Sequence, residues 1–453
     1  MMKYNPLKIF FSGIAGSGMS AIAVFMSDKG HKVSGSDRLF DINPEHPMLK
    51  LFAGKGIKIV PQDGRGIDET LSLVVFSTAV EHDNIEYKKA RSMRLPIMTR
   101  PEYLANIIKN YKTTAVSGTS GKSTTSGLLA FLMHELGMNP NFIGGGRVKS
   151  FRTEVNPGNS LSGNSDLMVI EACESDGTIV NYYPENSIIL SLALDHHSID
   201  KTSKMFKILN QHTGGMTIIN RDDENIKKTK FKNAVSFSID NPGDYKAENI
   251  SQNHFTSTFT VRGVQFRLPL PGRHNIYNAL SVIALLSQMG VSFRDIASVI
   301  PKFLGIERRF DIHMNNEKYF VVDDYAHNPH KIAALMQTVS RIKDNICYIF
   351  QPHGFAPLRL MRDEYISTFK SNLRNSDHLI LLPVFYAGGT VSKNISSNDI
   401  ADAIMLGGKS AEAVVDRNAV LERLNNWKNY IIFGARDDSL SAFAKEVAKK
   451  INV

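Results

Sequence analysis

Two cysteines in 453 residues, Cys173 and Cys347, are too few for a disulfide framework and lack the spacing of a metal site. Both fall in strand-like apolar runs, so they read as buried thiols of a protein kept in a reducing cytoplasm. No internal repeat or low-complexity tract is present, which excludes solenoid and fibrous architectures. No Lys/Arg block stands out either, although 53 basic residues against 44 acidic ones leave a net charge of +9. Scattered basic residues speak against nucleic acid and for anionic small molecules as ligands. An unbroken apolar run long enough to span a bilayer is also missing. Residues 9–26, preceded by Lys3 and Lys8, come nearest to a signal peptide or membrane span. Gly13, Gly16 and Gly18 interrupt them and a strand-like stretch over 32–35 follows, so the expectation is a strand, a glycine turn and a helix with no membrane partner.

What is present is ordinary for a globular protein: 42% hydrophobic and 21% charged residues. A chain of this length exceeds one core, so two or three domains are expected. Strand-like and helix-like runs alternate almost throughout, the pattern of parallel α/β layers. Strands are expected over 7–13, 73–77, 113–116, 167–172, 187–192 and 216–220, and helices over 17–29, 100–112, 124–136 and 276–289. Alternating polar and apolar residues over 255–270 predict an antiparallel hairpin. Near residue 304 the pattern restarts, with strands over 319–323, 346–350, 378–382 and 430–433 and a last helix over 440–451. The fold class is therefore α/β in three domains, 1–108, 109–304 and 305–453.

The densest chemical signal is Val116-Ser117-Gly118-Thr119-Ser120-Gly121-Lys122-Ser123-Thr124 between a strand and a helix. Glycines there leave backbone N–H groups open to an anion and the helix start adds its positive dipole end. Lys122 adds a point charge, and the Ser123 hydroxyl suits Mg²⁺. The loop departs from the usual pattern in having Val116 where a first glycine would stand. A nucleoside triphosphate is the ligand this arrangement predicts.

Further constellations follow it. Glu171-Ala172-Cys173-Glu174-Ser175-Asp176 closes one apolar strand and Asp195-His196-His197 the next, and α/β sheets place ligands at such strand ends. Pro271-Gly272-Arg273-His274-Asn275 precedes a helix, Gly305-Ile306-Glu307-Arg308-Arg309 opens the third region, and Asp323-Asp324-Tyr325-Ala326-His327-Asn328-Pro329 follows a strand within it. At the amino end, Gly13-Ile14-Ala15-Gly16-Ser17-Gly18-Met19-Ser20 is paired with Gly35-Ser36-Asp37. That spacing is not the dinucleotide fingerprint, which weakens an NAD-binding reading.

In order and over the whole chain, these residues resemble the Mur ligase family, ATP-dependent enzymes that build the peptide of bacterial peptidoglycan. The amino-terminal glycine pattern is similar to that of the branch adding L-alanine, or a recycled peptide, to UDP-N-acetylmuramate. The resemblance implies a Rossmann-like first domain that holds UDP, a P-loop ATPase-type central domain and a Rossmann-like third domain. It implies a muramyl carboxylate that attacks the γ-phosphate of ATP, and an amine that attacks the resulting acyl phosphate. By position, ATP would be held by Gly118, Thr119, Ser120, Gly121, Lys122, Ser123, Thr124, Asn275, Arg308 and Asp324. Mg²⁺ would be held by Ser123, Glu171 and His196, with Lys122, Glu171 and His196 forming the catalytic set. UDP-sugar would meet Gly16, Ser17, Gly18, Met19, Ser20 and Asp37, and the acceptor Tyr325, His327, Asn328, His353 and Arg359. The expected protein is a cytoplasmic monomer or weak dimer.

Some positions depart from the family pattern. Ser120, Ser123 and Ser191 replace His, Thr and Asn. In Gln351-Pro352-His353-Gly354-Phe355-Ala356-Pro357-Leu358-Arg359, Gly354 and Pro357 stand where the alanine-adding branch has arginines. Bidentate carboxylate pairing makes those hard to replace, so the amine is left open between L-alanine and a larger or peptide acceptor. A nucleotide-binding scaffold without turnover is the reading from another class, and Lys122, Ser123, Glu171 and His196 speak against it.

Overall fold

The structure, a computed structural model, describes residues 6–195, 197–253, 255–386, 392–424 and 426–451. They form two compact units, Met1–Ile306 and Glu307–Val453.

The first unit contains three sheets. A five-stranded parallel sheet has the order Lys58–Ile59, Lys32–Ser36, Lys8–Ser12, Leu73–Phe76, Ile97–Thr99. An eight-stranded sheet runs Tyr245–Lys246, Ala234–Ser238, Thr217–Asn220, Asn186–Ile189, Lys112–Ser117, Leu167–Glu171, Asn141–Ile143, Ser160–Leu161. Only its last pair is antiparallel. Its central strand, Lys112–Ser117, is buried beyond its first residue, and its β-branched Thr113, Thr114 and Val116 suit a strand covered on both faces. The strands on either side of it, Leu167–Glu171 and Asn186–Ile189, lead into the two acidic loops, so phosphate loop and acids emerge at one sheet edge.

A single apolar cluster explains why residues 1–306 are one unit. It includes Phe11, Ile22 and Tyr103 of the five-stranded layer and continues through Ala115, Ile170 and Ile189 on one face of the eight-stranded sheet. The other face is covered by a second cluster, in which helix Lys122–Glu135 packs on helix Arg273–Gln288.

The second unit is one six-stranded sheet, ordered Asp311–Asn315, Phe320–Asp324, Asn429–Gly434, Ile346–Gln351, His378–Leu381, Ala411–Ala413. Its first pair is antiparallel and the rest parallel. Register sets Asp324 opposite Phe433 and Gln351 opposite Gly434, so Asp324 and Gln351 end the two strands that flank Asn429–Gly434, at the same edge of the sheet. Among the described residues no helix is long and apolar enough to cross a membrane.

Several expectations need correction in detail. Helix Arg100–Ile108 ends four residues early, because Lys112 already pairs with Leu167 in the sheet. Helices Lys122–Glu135 and Arg273–Gln288 begin two and three residues early, directly after Gly121 and Gly272. The hairpin is present as Ser257–Val261 and Val264–Leu268, and a third strand, Glu248–Gln252, joins it across an irregular register. Four of that strand's five residues are polar and exposed and only Ile250 is half-buried, so alternation could not reveal it. Cys347 is buried in its strand, whereas Cys173 lies beyond the end of Leu167–Glu171 and is only half-buried.

One buried carboxyl ties the first sheet together. Glu86 is fully buried, and its Oε2 accepts from Ser12 Oγ at 2.6 Å and Ser36 Oγ at 2.7 Å, at the ends of two neighbouring strands. Burial raises its pKa against the effect of these two hydroxyls. Because the folded pKa lies above the unfolded one, its contribution to stability declines as pH rises through the interval between them. Glu86→Gln should therefore gain thermal stability relative to the parent protein as pH rises above 4.5. Glu86→Ala should cost about 1–3 kcal/mol by leaving the hydroxyls without their acceptor. Thermal melts from pH 4 to pH 9 check both.

Candidate active site

The phosphate loop is shaped by the residues that flank it. Gly121 has φ +87°, a left-handed conformation that favours glycine, and a methyl group there would sit 2.4 Å from Asn278 Oδ1. With Gly121 as its cap residue, helix Lys122–Glu135 carries no side-chain cap, so its first N–H groups are left for a ligand. Ser191 fixes the front of the loop. Its Oγ accepts from Ser120 N at 2.9 Å and lies 3.1 Å from Thr119 Oγ1, while its carbonyl accepts from Thr119 N at 3.0 Å.

The Lys122 ammonium donates to Gly118 O at 2.6 Å and pairs with Glu174 Oε2 at 2.9 Å. Burial alone would lower its pKa, but the Cys173 sulfur and the Glu174 and Glu171 carboxylates around it outweigh this and hold it above the usual lysine value. Lys122 is therefore charged at neutral pH. Glu174 is itself buried, and its other oxygen, Oε1, has no hydrogen-bond partner among the described residues.

Beside this pair, Ser123 Oγ donates to Glu171 Oε1 at 3.0 Å, and Gly145 N donates to Glu171 Oε2 at 2.9 Å. The donors are hard oxygens, the chemistry Mg²⁺ prefers. Among the described residues no group of three His, Cys, Asp or Glu could hold a metal ion unaided. His196 lies outside the described residues.

Asn275, at the start of helix Arg273–Gln288, is buried. Its Nδ2 donates to Pro271 O at 2.6 Å, and its Oδ1 accepts from Asn278 Nδ2 at 3.2 Å. Asn278 thereby links that helix to Gly121. In the five-stranded layer, Gly16 precedes helix Ser17–Asp28, whose first turn also lacks a side-chain cap. Gly18, Met19 and Ser20 lie in that turn. Asp37 braces the preceding loop by accepting from Ala15 N at 2.9 Å and Leu39 N at 3.0 Å.

The second unit gathers the remaining residues. Arg308, with φ +58°, is buried. Its guanidinium donates to Gly434 O at 2.7 Å, Asp437 O at 3.0 Å and Asp323 Oδ1 at 3.4 Å. It is committed within its own unit, while Arg309 is half-buried over the Tyr325 ring at 4.9 Å. Asp324 accepts from Phe310 N and Ala326 N, each at 2.7 Å. Asn328 caps helix Pro329–Val339 by accepting from Lys331 N. His327 and His353 approach edge to face at 5.2 Å, and His327 Nδ1 lies 2.9 Å from Tyr325 O. Arg359, on the exposed side of helix Phe355–Leu360, donates to Asn394 Oδ1 at 2.6 Å. The described geometry thus brings Lys122, Ser123 and Glu171 together in one unit and Tyr325, His327 and His353 together in the other.

Sequence reasoning gave no site role to Ser191, Asn278 or Gly145. The signals were there, in a serine at the end of an apolar strand, a second asparagine one helical turn beyond Asn275, and a run of three glycines at 144–146. Glu174, one of the acids that follow the apolar strand, is the carboxylate paired with Lys122.

Three family models match the chain: the catalytic domain of the Mur ligase family over residues 8–112, the Mur ligase middle domain over 116–286, and the Mur ligase glutamate ligase domain over 308–449. A UDP-N-acetylmuramate–L-alanine ligase of Caldanaerobacter subterraneus is 31% identical over 92% of this chain and 91% of its own length. Another, of Dictyoglomus turgidum, is 32% identical over 88% and 86%. Among solved structures, a UDP-N-acetylmuramate-alanine ligase of Thermotoga maritima superposes with a TM-score of 0.81 at 27% identity, covering 98% of this chain and 99% of that one. A murein peptide ligase of Psychrobacter arcticus shares the fold, with a TM-score of 0.71 at 20% identity and 98% coverage of each chain.

Burial, reinforced by the nearby Lys331 cation, pushes the pKa of His327 from 6.5 down to about 3. The folded pKa is depressed, so between these values the unfolded chain binds more protons than the folded one. The second unit should lose stability as pH falls below 6.5. His327→Gln should flatten that part of the profile, as read by circular dichroism melts between pH 4 and pH 8.

Proposed function

Since the chain belongs to the Mur ligase family, we propose that it joins L-alanine to the muramyl carboxylate of UDP-N-acetylmuramate, converting ATP to ADP and phosphate. The observation that carries this reading is the pairing of Lys122 and Ser123 with Glu174 and Glu171 at one sheet edge, in a chain about 30% identical to alanine-adding relatives over most of its length.

The chemistry follows from charge. A carboxylate oxygen must attack the γ-phosphorus of ATP, and both reactants are anions, so the protein's main tasks are alignment and neutralisation. Lys122 supplies a cation already desolvated at the loop. A triphosphate entering the loop replaces Glu174 as one partner of the ammonium, and the uncapped N–H groups after Gly121 meet its oxygens. Ser123 and Glu171 are the residues that would hold Mg²⁺, which spreads the negative charge of the phosphates. ADP leaves as the carboxyl–phosphate bond forms. The amine nitrogen then attacks the acyl carbon, loses a proton, and expels phosphate carrying one former carboxylate oxygen. The depressed pKa of His327 keeps its imidazole neutral at the pH of catalysis, so it adds no charge to repel an incoming ammonium group. Asn275 and Asp324 on the adenosine, His196 on metal, and Tyr325, Asn328, His353 and Arg359 on the acceptor complete the assignment. We place the enzyme in the cytoplasm as a monomer or weak dimer.

Phosphate release from Mg²⁺-ATP and UDP-N-acetylmuramate tests the reading, with L-alanine or a murein tripeptide as acceptor and product mass as a second readout. Release with L-alanine and a product heavier by one alanyl residue is expected. Lys122→Ala should lower turnover on the order of 10²–10³-fold. Release with the tripeptide alone would transfer the assignment to peptide recycling, the reaction Gly354 and Pro357 leave room for.

A further inference from the structure

The uncapped start of helix Ser17–Asp28 is met by a guanidinium from another element. Arg100 opens helix Arg100–Ile108, directly after the edge strand of the five-stranded sheet. A methyl group on Gly18 would lie 3.2 Å from Arg100 Cδ, 3.5 Å from its Nη1 and 3.6 Å from its Nε. The Arg100 side chain therefore covers the first turn of that helix, and Gly18 leaves it space. On its other side, Arg100 Nη2 donates to Asp176 Oδ2 at 2.8 Å. Both partners keep only about a fifth of their side-chain surface exposed, 23% and 19%. Asp176 holds its own place independently, since its Oδ1 accepts from Thr178 N at 3.0 Å and Thr178 Oγ1 at 2.5 Å.

We propose that Arg100 is a diphosphate-binding residue of the sugar-nucleotide site, held in the ligand-free protein by Asp176. This rests on the reading of the amino-terminal layer as the UDP-sugar domain. The helix start offers free N–H groups and a partial positive charge, which orient a diphosphate without neutralising it. A guanidinium beside that turn supplies the missing unit charge, and its planar fork suits phosphate oxygens. Nη2 is engaged by Asp176, whereas Nη1 and Nε are the nitrogens nearest Gly18. Asp176 is an anion close to the same position, so it opposes the diphosphate by direct repulsion while competing for the guanidinium.

The pair also bears on the ATP loop. Asp176 lies two residues beyond Glu174, the partner of Lys122, and Gly177 N donates to Glu174 O at 3.0 Å. Drawing Arg100 toward a diphosphate frees Asp176 within the short turn that carries Glu174.

Calorimetric titration of the full-length protein with UDP, and ligand-observed NMR with uridine, test the proposal. Arg100→Ala should weaken UDP binding by about ten- to a hundred-fold, the range for a hydrogen bond to a charged group. Its affinity for uridine and for ATP should stay unchanged. Arg100→Lys, which keeps the charge and loses the fork, should fall between Arg100→Ala and the parent. Asp176→Asn retains the oxygen that caps Thr178 but removes the competing charge, so UDP should bind a few-fold more tightly. A pair serving only as a structural brace predicts something else: parallel losses for UDP and uridine, and weaker UDP binding in Asp176→Asn as in Arg100→Ala. That result, or unchanged UDP affinity in Arg100→Ala, overturns the proposal. A parent protein that binds neither UDP nor UDP-N-acetylmuramate overturns the sugar-nucleotide reading itself, and this assignment with it.

Discussion

The contact between Lys122 and Glu174 is where the demands of fold and chemistry meet. A cation is needed beside the phosphate loop, yet an ammonium group removed from water is costly unless it is paired. Glu174 provides the pairing at 2.9 Å and Gly118 O a further acceptor at 2.6 Å. Everything around that contact keeps it in place. The central strand of the eight-stranded sheet delivers the loop, the neighbouring strand delivers Glu171 and Glu174, and Gly121 lets helix Lys122–Glu135 begin at the lysine. Because Ser123 and Gly145 restrain Glu171 separately, one carboxylate neutralises the lysine while the other remains oriented toward a hydroxyl oxygen.

The same economy of charge extends into the amino-terminal layer. Its apolar cluster is shared with the eight-stranded sheet, so the two layers belong to one compact unit. Polar contacts across the junction add specificity to that packing. Asn159, fully buried, donates to Ser17 O at 2.8 Å and Ser20 Oγ at 3.1 Å, at the start of the helix that Arg100 overlies. Gly144 N donates in turn to Asn159 O at 2.9 Å, one residue before the Gly145 that holds Glu171.

Legibility in the sequence tracked how local each feature is. The strand, glycine loop and helix around Lys122 were readable because β-branched residues, glycines and an apolar helical run follow one another within about 25 residues. The same holds for Gly13–Ser20. What sequence could not show were contacts between distant segments. Ser191 bracing Ser120, Asn278 against Gly121, and Arg100 between Gly18 and Asp176 join positions separated by 71, 157 and 76 residues (278 − 121 = 157; 176 − 100 = 76). Strand Glu248–Gln252 was missed for another reason: with a single apolar residue, Ile250, it leaves no alternation to detect. Arg308 shows the limit of matching by position, since a positive φ and three internal acceptors bury a side chain that the motif assigns to phosphate.

The central claim is that the phosphate loop serves to transfer the γ-phosphoryl group onto a carboxylate. The most direct test labels the muramyl carboxylate of UDP-N-acetylmuramate with ¹⁸O and analyses the phosphate released during turnover with L-alanine. An acyl phosphate route predicts that each phosphate carries one ¹⁸O atom from the carboxylate. Phosphate without label would contradict the account, because ATP would then be split by water and the loop would not activate the acid.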